Sequence, residues 1–148
     1  SFPTRRSSDL REKVSLLQIL EQIRRYMLQT LLPSARRVTI HVGGEDVIVS
    51  ADCASSVALV VNELVQNALK YAFPSGQAGR IGIELHSGRP LCQLTVWDNG
   101  VGFQADRPRP GGAGLELAST IVREKLTGEW SVESGPGGTR ISFDFLEQ

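Results

Sequence analysis

The chain has 148 residues, a length typical of one domain with its own hydrophobic core. Its 16 Lys and Arg residues balance 16 Asp and Glu residues, which argues against a general binder of nucleic acid or other polyanions. Hydrophobic residues make up 41% of the chain, which excludes a disordered, highly charged protein.

The first nine residues, SFPTRRSSD, show no apolar period. They resemble the peptide that a common short-read sequencing adapter encodes when it is translated in frame. We therefore expect residues 1–9 to be a leader foreign to the protein, and residues 10–148 to form the domain. A short natural basic tail is the alternative interpretation.

An amphipathic helix is predicted over residues 10–32. Apolar side chains recur there every three or four positions, at Leu16, Ile19, Leu20, Ile23, Met27 and Leu31. Pro33 ends the helix, because proline lacks the N–H that a helix interior needs. The stripe is short for a coiled coil, so we expect it to pack on the domain's own sheet, with a partner helix or a dimer contact as the alternative.

Two short runs rich in β-branched residues follow, at residues 37–42 and 46–50, with Gly43 and Gly44 between them. Alternation of this kind predicts strands, and the glycines predict a tight turn, so we expect a β-hairpin. His41 lies in the first run. A lone histidine in a strand is interpreted as a surface or core residue, and not as a ligand or phosphoacceptor.

The remainder of the chain predicts two further helices and two further hairpins. The helices are expected at residues 53–72 and 115–126, and the hairpin strands at residues 80–86 with 91–97 and at residues 130–133 with 139–145. Helices between hairpin-linked strands predict an α+β fold: a two-layer α/β sandwich with a mixed, mostly antiparallel sheet and helices on one face. The other face of the sheet is then expected to face solvent.

Two cysteines, Cys53 and Cys92, lie in apolar stretches without a CxxC spacing. We expect both to be reduced core residues, because a structural zinc site normally needs about four ligands. No apolar run approaches the roughly 18 residues of a membrane span, and the sequence shows no signal-peptide pattern. We therefore expect a soluble, cytoplasmic domain without direct membrane contact.

Polar residues of the second predicted helix fall on one side, opposite its apolar arc. These residues are Glu63, Asn67 and Lys70, each about one turn from the next. In that arrangement Glu63 suits a general base, Asn67 an oxygen ligand for Mg²⁺, and Lys70 a charge partner for phosphate. On this pattern alone, a solvated helix face is the competing interpretation.

The motif WDNGVGF, at residues 97–103, follows a predicted strand. It places Asp98 at the strand end, where a carboxylate is able to accept a hydrogen bond from an exocyclic amine such as that of adenine. Gly100 and Gly102 come next and permit close approach of the backbone. A plain turn explains the same motif.

The segment PGGAGLEL, at residues 110–117, brings Gly112 and Gly114 to the start of a predicted helix. Backbone N–H groups and the positive end of a helix dipole are suited to phosphate. The segment matches neither the GxGxxG pattern of dinucleotide-binding folds nor a P-loop, and both of those would imply another fold. By itself, a glycine-rich entry to a helix is weak evidence for a site.

The order and spacing of these three segments resemble one superfamily, the Bergerat-fold ATPases, which groups histidine kinases with gyrase-type ATPases, chaperones of the heat-shock ninety class and mismatch-repair ATPases. NELVQNALKYAFP, residues 62–74, is similar to the N box; DNGVGF, residues 98–103, is similar to the first glycine box; and residues 114–145 are similar to the second glycine box and closing hairpin. The first motif and the short lid at residues 104–110 most resemble histidine kinases of the HisKA_2 and HWE types. The resemblance covers residues 10–145.

The resemblance implies a role for each matching side chain. Glu63 is expected to polarise the attacking group, and Asn67 to hold Mg²⁺ against the triphosphate of ATP. Lys70 and Tyr71 are expected to line the phosphate side, and Asp98 to bind the adenine amine.

The other residues that the resemblance assigns to the nucleotide are Gly100, Gly102, Gly112, Gly114, Leu115 and Thr139. The first two glycines are expected to let adenine approach, and the next two to touch phosphates. Thr139 is expected to reach adenine through water.

The function that the resemblance implies is that of the ATP-binding catalytic domain of a two-component sensor histidine kinase. The γ-phosphate of ATP would pass to a histidine on a dimerisation segment outside this chain, and then to a response regulator. Neither His41 nor His86 has the helical setting of such an acceptor, so this chain is not expected to phosphorylate itself, and a homodimer is expected only for the full-length protein. An anti-sigma-factor serine kinase and a non-catalytic, nucleotide-dependent interaction module stay open as alternatives.

Overall fold

The computed structural model describes residues 12–30, 37–103 and 112–147, so the expected leader at residues 1–9 and the predicted lid at residues 104–110 lie outside the described residues. Within the described ranges, helices α1 (Leu16–Thr30), α2 (Ala51–Tyr71) and α3 (Gly112–Glu124) alternate with seven strands. The strands are β1 (Lys13–Ser15), β2 (Val38–Gly44), β3 (Ile48–Ser50), β4 (Gly79–Ser87), β5 (Leu91–Asp98), β6 (Trp130–Gly135) and β7 (Gly138–Leu146). No helix in these ranges is both long and apolar enough to cross a membrane.

Five of the strands form one mixed sheet in the order β2, β4, β5, β7, β6. Strand β2 runs parallel to β4, and the other three pairs are antiparallel. A parallel pair requires a crossover connection, which the chain supplies through β3 and α2. The predicted hairpins β4–β5 and β6–β7 are both present, and the predicted two-layer α+β fold with a mostly antiparallel sheet is confirmed.

The predicted hairpin between residues 37–42 and 46–50 is wrong. Strand β2 pairs with β4, whereas β3 pairs with β1 in a separate two-stranded antiparallel sheet. Gly44 belongs to β2 itself and has a φ of +109°. A Cβ atom at Gly44 would lie 2.0 Å from the carbonyl oxygen of Leu85, so this glycine serves a close contact with β4 and not a hairpin turn.

Helix α1 begins at Leu16, later than predicted, because the three residues before it form β1. Asp46, in the loop before β3, caps this helix. Its carboxylate accepts hydrogen bonds from the Ser15 hydroxyl at 2.7 Å and from the Leu17 N–H at 3.0 Å. Burial alone would raise the pKa of Asp46, but these hydrogen bonds and one from the Val47 N–H lower the pKa below its usual value. The cap therefore depends on an ionised carboxylate.

One hydrophobic core joins the helices to a single face of the five-stranded sheet. The stripe of α1 enters it through Leu16, Leu20, Ile23 and Met27, and α1 packs against α2 and β2. Buried apolar side chains alternate along the central strands, and they include Ile81, Ile83, Leu85, Leu94, Ile141 and Phe143. The prediction that the first helix packs within its own domain agrees with this arrangement.

The opposite face, which we call the open face of the sheet, carries polar side chains. Trp97 lies across Gly82 of the neighbouring strand, where a Cβ atom would come within 2.1 Å of the indole. The indole Nε1 donates to Glu84 at 3.1 Å, and the hydroxyls of Thr95 and Ser142 lie 2.9 Å apart. Cross-strand polar contacts therefore hold this face together, while the helices pack on the other.

Cys53 and Cys92 are free thiols, and both are buried, as predicted. Burial raises the pKa of the Cys53 thiol to about 11, and it also raises the pKa of the Cys92 thiol. Both thiols are therefore protonated near neutral pH, which suits core residues better than nucleophiles.

Candidate functional site

Strand β5 ends with a buried carboxylate. Asp98 is 8% exposed, and its Oδ1 accepts a hydrogen bond from the Gly100 N–H at 2.9 Å, where the chain turns out of the sheet. Its cross-strand partner is Thr139 on β7, which is also buried. The strand end therefore presents a carboxylate beside a hydroxyl, a pair able to recognise a group that carries both a donor and an acceptor.

The glycine loop after β5 packs against protein backbone on both sides. The Val101 N–H donates to the Ala72 carbonyl at 2.9 Å, just beyond the end of α2. A Cβ atom at Gly100 would lie 2.3 Å from that carbonyl oxygen, and one at Gly102 would lie 1.9 Å from the carbonyl oxygen of Gly135. Gly102 also has a φ of +70°, which disfavours a side chain. These glycines therefore allow the loop to pack closely between the end of α2 and the β6–β7 hairpin. The motif alone did not predict this packing role.

Ser134 on β6 links this loop to Thr139. Its Oγ accepts the Phe103 N–H at 2.9 Å and lies 2.7 Å from the Thr139 Oγ1. The sequence interpretation missed Ser134. A signal was available in the predicted hairpin, because Ser134 and Thr139 flank the GPGG turn and are therefore cross-strand partners.

The polar side of α2 is covered in part by α3. Asn67 is 6% exposed, and its Nδ2 has no hydrogen-bond partner among the residues that the structure describes. Glu63, one turn earlier, is partly buried. A Cβ atom at Gly114 of α3 would lie 2.8 Å from the Glu63 Oε2 and 3.4 Å from the Asn67 Nδ2. The competing interpretation of a solvated helix face is therefore wrong for Asn67.

Helix α3 begins at Gly112, and not at the predicted Leu115. Gly112 and Gly114 therefore lie in its first turn instead of in a preceding loop, and Leu115 follows them in the same turn. The first N–H groups of a helix have no partner within the helix, and the helix dipole makes this end positive. The first turn of α3 meets the polar side of α2 in what we call the α2–α3 corner, formed by Glu63, Asn67 and Gly114.

The predicted site residues thus fall into two groups. Asp98, Thr139 and the loop glycines surround the end of β5, while Glu63 and Asn67 belong to the α2–α3 corner. Gly100 connects the two groups, because it packs on the residue that follows α2. Lys70 and Tyr71, which were predicted on the phosphate side, are exposed at the C-terminal end of α2.

Comparison with protein-family models matches residues 53–148 to the family described as histidine kinase-, DNA gyrase B-, and HSP90-like ATPase. The matched span contains α2 from Cys53 onward, the glycine loop, α3 and the β6–β7 hairpin. All the residues of the two groups therefore lie inside it.

Relatives named as histidine kinases match most of the chain. The chain is 26% identical over 125 residues to the sensor histidine kinase PdtaS of Mycobacterium tuberculosis, a match that covers 82% of this chain and 25% of that protein. The solved histidine kinase domain of a blue-light activated kinase from Erythrobacter litoralis has a TM-score of 0.77 and 25% identity, over 90% of this chain and 62% of that one. Histidine kinase ThkA, solved in complex with the response regulator protein TrrA, shares the fold with a TM-score of 0.73 at 20% identity, over 93% of this chain and 42% of that one. The chain thus spans only part of each relative.

Proposed function

The chain belongs to the histidine kinase-, DNA gyrase B- and HSP90-like ATPase family, and we propose that this ATP-binding domain transfers the γ-phosphate of ATP to a histidine on a partner segment. One observation carries the proposal: the buried Asn67 amide faces the first turn of α3 and has no partner among the described residues. An unsatisfied buried donor costs about 1–3 kcal/mol. Its presence favours a ligand that supplies the missing acceptor, and a nucleoside triphosphate is rich in acceptor oxygens.

The adenine ring is assigned to the end of β5. The Asp98 carboxylate is suited to accept a hydrogen bond from the exocyclic amine of adenine, a position at which guanine carries a carbonyl oxygen. A carboxylate opposite that carbonyl would leave two acceptors facing each other, so we expect the site to prefer ATP over GTP. Thr139, the cross-strand neighbour of Asp98, is proposed to reach the ring through water, and Gly100 and Gly102 shape the loop beside it.

The phosphates are assigned to the α2–α3 corner. The backbone N–H groups of Gly112, Gly114 and Leu115 are proposed to receive them, because a helix N-terminus attracts anions. Their negative charge offsets the positive end of the helix dipole. Backbone groups would therefore supply part of the binding energy at this end.

Asn67 is proposed as the protein ligand for Mg²⁺, through its Oδ1 atom. Mg²⁺ usually takes few protein ligands and completes its shell with phosphate oxygens and water. Asn67 fits that habit, because it offers one carboxamide oxygen beside the first turn of α3, where the phosphates are assigned. When bound, the ion neutralises charge on the β- and γ-phosphates.

Glu63 is proposed to act on the acceptor. An imidazole attacks through one nitrogen while the other carries a proton, and a carboxylate that accepts this N–H makes the attacking nitrogen more nucleophilic. The partly buried position of Glu63 beside Gly114 supports such a role. Lys70 and Tyr71, exposed at the end of the same helix, are proposed to contact the phosphates once the nucleotide is bound. Catalysis would then come from positioning and charge neutralisation.

The acceptor histidine is proposed to lie on a dimerisation segment outside this chain, and a response regulator is proposed to receive the phosphoryl group. The complex of ThkA with a response regulator supports the second part. Relatives named as histidine kinases favour histidine over serine as the acceptor. No observation favours the alternative of an interaction module without catalysis. We propose that the domain lies in the cytoplasm, where ATP is available.

The test inserts this chain into the histidine kinase domain of the Erythrobacter litoralis kinase, in place of the part of that domain that it matches. The fusion is incubated with radiolabelled ATP and Mg²⁺, with an Asp98→Ala fusion as the control. The proposal predicts label that is stable in alkali and lost in acid, as phosphohistidine is, and much less label on the control when ATP is not saturating. Acid-stable label would contradict the acceptor, and a fusion that binds ATP but takes no label would contradict the phosphotransfer.

A further inference from the structure

We propose that Ser134 is a positioning residue for purine recognition, which acts by holding the Thr139 hydroxyl in one orientation. The inference rests on the nucleotide site proposed above and concerns its specificity. Ser134 was not among the residues expected to bind nucleotide, and its proposed role needs no direct contact with the ligand.

The position of Ser134 is fixed from two sides. On β6 it stands opposite Thr139, one residue before the Gly135 and Gly138 pair that closes the hairpin. Its Oγ accepts a hydrogen bond from the Phe103 N–H at 2.9 Å. Gly102, which precedes Phe103, packs on the residue after Ser134, since a Cβ atom on Gly102 would lie 1.9 Å from the Gly135 carbonyl oxygen. The glycine loop and the hairpin therefore hold the Ser134 hydroxyl between them.

The arrangement of hydrogen atoms decides what Thr139 offers to a ligand. The backbone N–H of Phe103 is only a donor, so it occupies a lone pair of the Ser134 Oγ. The Ser134 Oγ keeps its hydrogen and a second lone pair, so the geometry allows either hydroxyl to donate in the 2.7 Å contact with the Thr139 Oγ1, and the proposal assigns this hydrogen bond to Ser134 as the donor. With that assignment Thr139 accepts the bond, and its own hydrogen is left for a ligand at the end of β5, where Thr139 is the cross-strand partner of Asp98.

The strand end then shows one acceptor, the Asp98 carboxylate, and one donor, the Thr139 hydroxyl. Adenine carries the complementary pair on its Watson–Crick edge: an amine donor, and the N1 acceptor next to it. Hypoxanthine carries the reverse pair, a carbonyl oxygen and an N1–H. If Ser134 is removed, the Thr139 hydroxyl is free to rotate and to accept from N1–H, directly or through water, so discrimination against hypoxanthine falls.

The test measures the affinity of the whole chain for ADP and for IDP, both with Mg²⁺, by isothermal titration calorimetry. Ser134→Ala is expected to lower the ratio of the two affinities by about two- to tenfold, the effect of one neutral hydrogen bond. Ser134→Thr keeps the hydroxyl and is expected to keep the wild-type ratio. Ser131→Ala is the matched control, because Ser131 lies on the same strand but is exposed and pairs with Ser142 on the open face.

A double-mutant cycle separates positioning from a general structural effect. Since Ser134 acts through Thr139, adding Ser134→Ala to Thr139→Val should leave the ratio unchanged. A further fall in the double variant, or a wild-type ratio in Ser134→Ala, would overturn the role of Ser134.

If the alanine variant does not fold, Ser134→Cys replaces it, because cysteine has a similar size and only weak hydrogen bonding. A wild-type affinity ratio in Ser134→Cys overturns the proposal, and a lowered ratio supports it. A wild-type chain that binds neither nucleotide would instead overturn the proposed site itself.

Discussion

Replacing Asn67 with leucine should stabilise the ligand-free domain while removing its response to nucleotide. Asn67 is buried, and its Nδ2 has no partner within the described part of the chain. A buried amide in that state costs about 1–3 kcal/mol, and leucine has the same branched side-chain shape without the polar group, with larger methyl groups in place of the amide atoms. We expect a gain of about 1–2 kcal/mol in the free energy of unfolding, below the upper limit because the branched leucine must repack beside Gly114.

Thermal unfolding with and without Mg·ATP measures both effects. A gain of that size raises the midpoint by about 2–4 °C for each kcal/mol. In the wild type, ligand at about 100 times its Kd adds about 2.7 kcal/mol more, and we expect this increment to vanish in Asn67→Leu. Gln66→Leu is the matched control, because Gln66 is the preceding residue of α2 and is partly exposed. It should change the ligand-free midpoint little and keep the ATP response.

Two results would refute this reasoning. A lower midpoint for ligand-free Asn67→Leu would mean that the amide stabilises the ligand-free fold. A full ATP response in the variant would remove Asn67 from the nucleotide site.

Three further predictions concern the fold around the site. Gly102→Ala should lower the free energy of unfolding by about 1–3 kcal/mol in urea titrations, because the φ of +70° and the contact with Gly135 exclude a Cβ atom; an unchanged midpoint would contradict the strain. Asp46→Asn should cost about 0.5–1 kcal/mol at pH 7, at the low end for a helix cap because the group is exposed to solvent. Because folding lowers the pKa of Asp46, its stabilising contribution is complete above the pKa of about 3.9 in the unfolded chain and is lost as the pH falls through the lower pKa of the folded chain. A stability difference between wild type and Asp46→Asn that persists at about pH 2 would contradict this role of the ionised carboxylate. Cys53, with its pKa raised to about 11, should react with iodoacetamide at pH 8 slowly in the folded chain and rapidly in urea; equal rates would show that the thiol is accessible.

The wrong hairpin prediction for β2 and β3 shows that sequence patterns predict strands better than they predict strand pairing. Alternating apolar residues predicted both strands correctly, because side chains on a strand alternate between its faces. They do not identify the partner strand, and β2 pairs with a strand that follows it only after the whole of α2. Gly44 was interpreted as part of a turn, whereas the structure uses it for close packing on Leu85.

The site was predictable where a role depends on local spacing. Helical periodicity put Glu63 and Asn67 on one side of α2, and comparison with known families confirms the ATP-binding domain to which their motif was assigned. Periodicity does not reveal that Gly114 brings α3 over Asn67, because that contact joins residues far apart in the chain. The individual roles of Glu63, Asn67 and Asp98 stay predictions.

Titration of the chain with Mg·ATP and Mg·GTP, for the wild type and for Asp98→Ala, tests the central claim that the end of β5 is an adenine site. We expect the wild type to bind ATP and to bind GTP at least about tenfold more weakly. Asp98→Ala should lose about ten- to hundredfold in ATP affinity, the effect of one hydrogen bond to a charged group. Equal affinity for ATP and GTP, or unchanged ATP binding by Asp98→Ala, would contradict it.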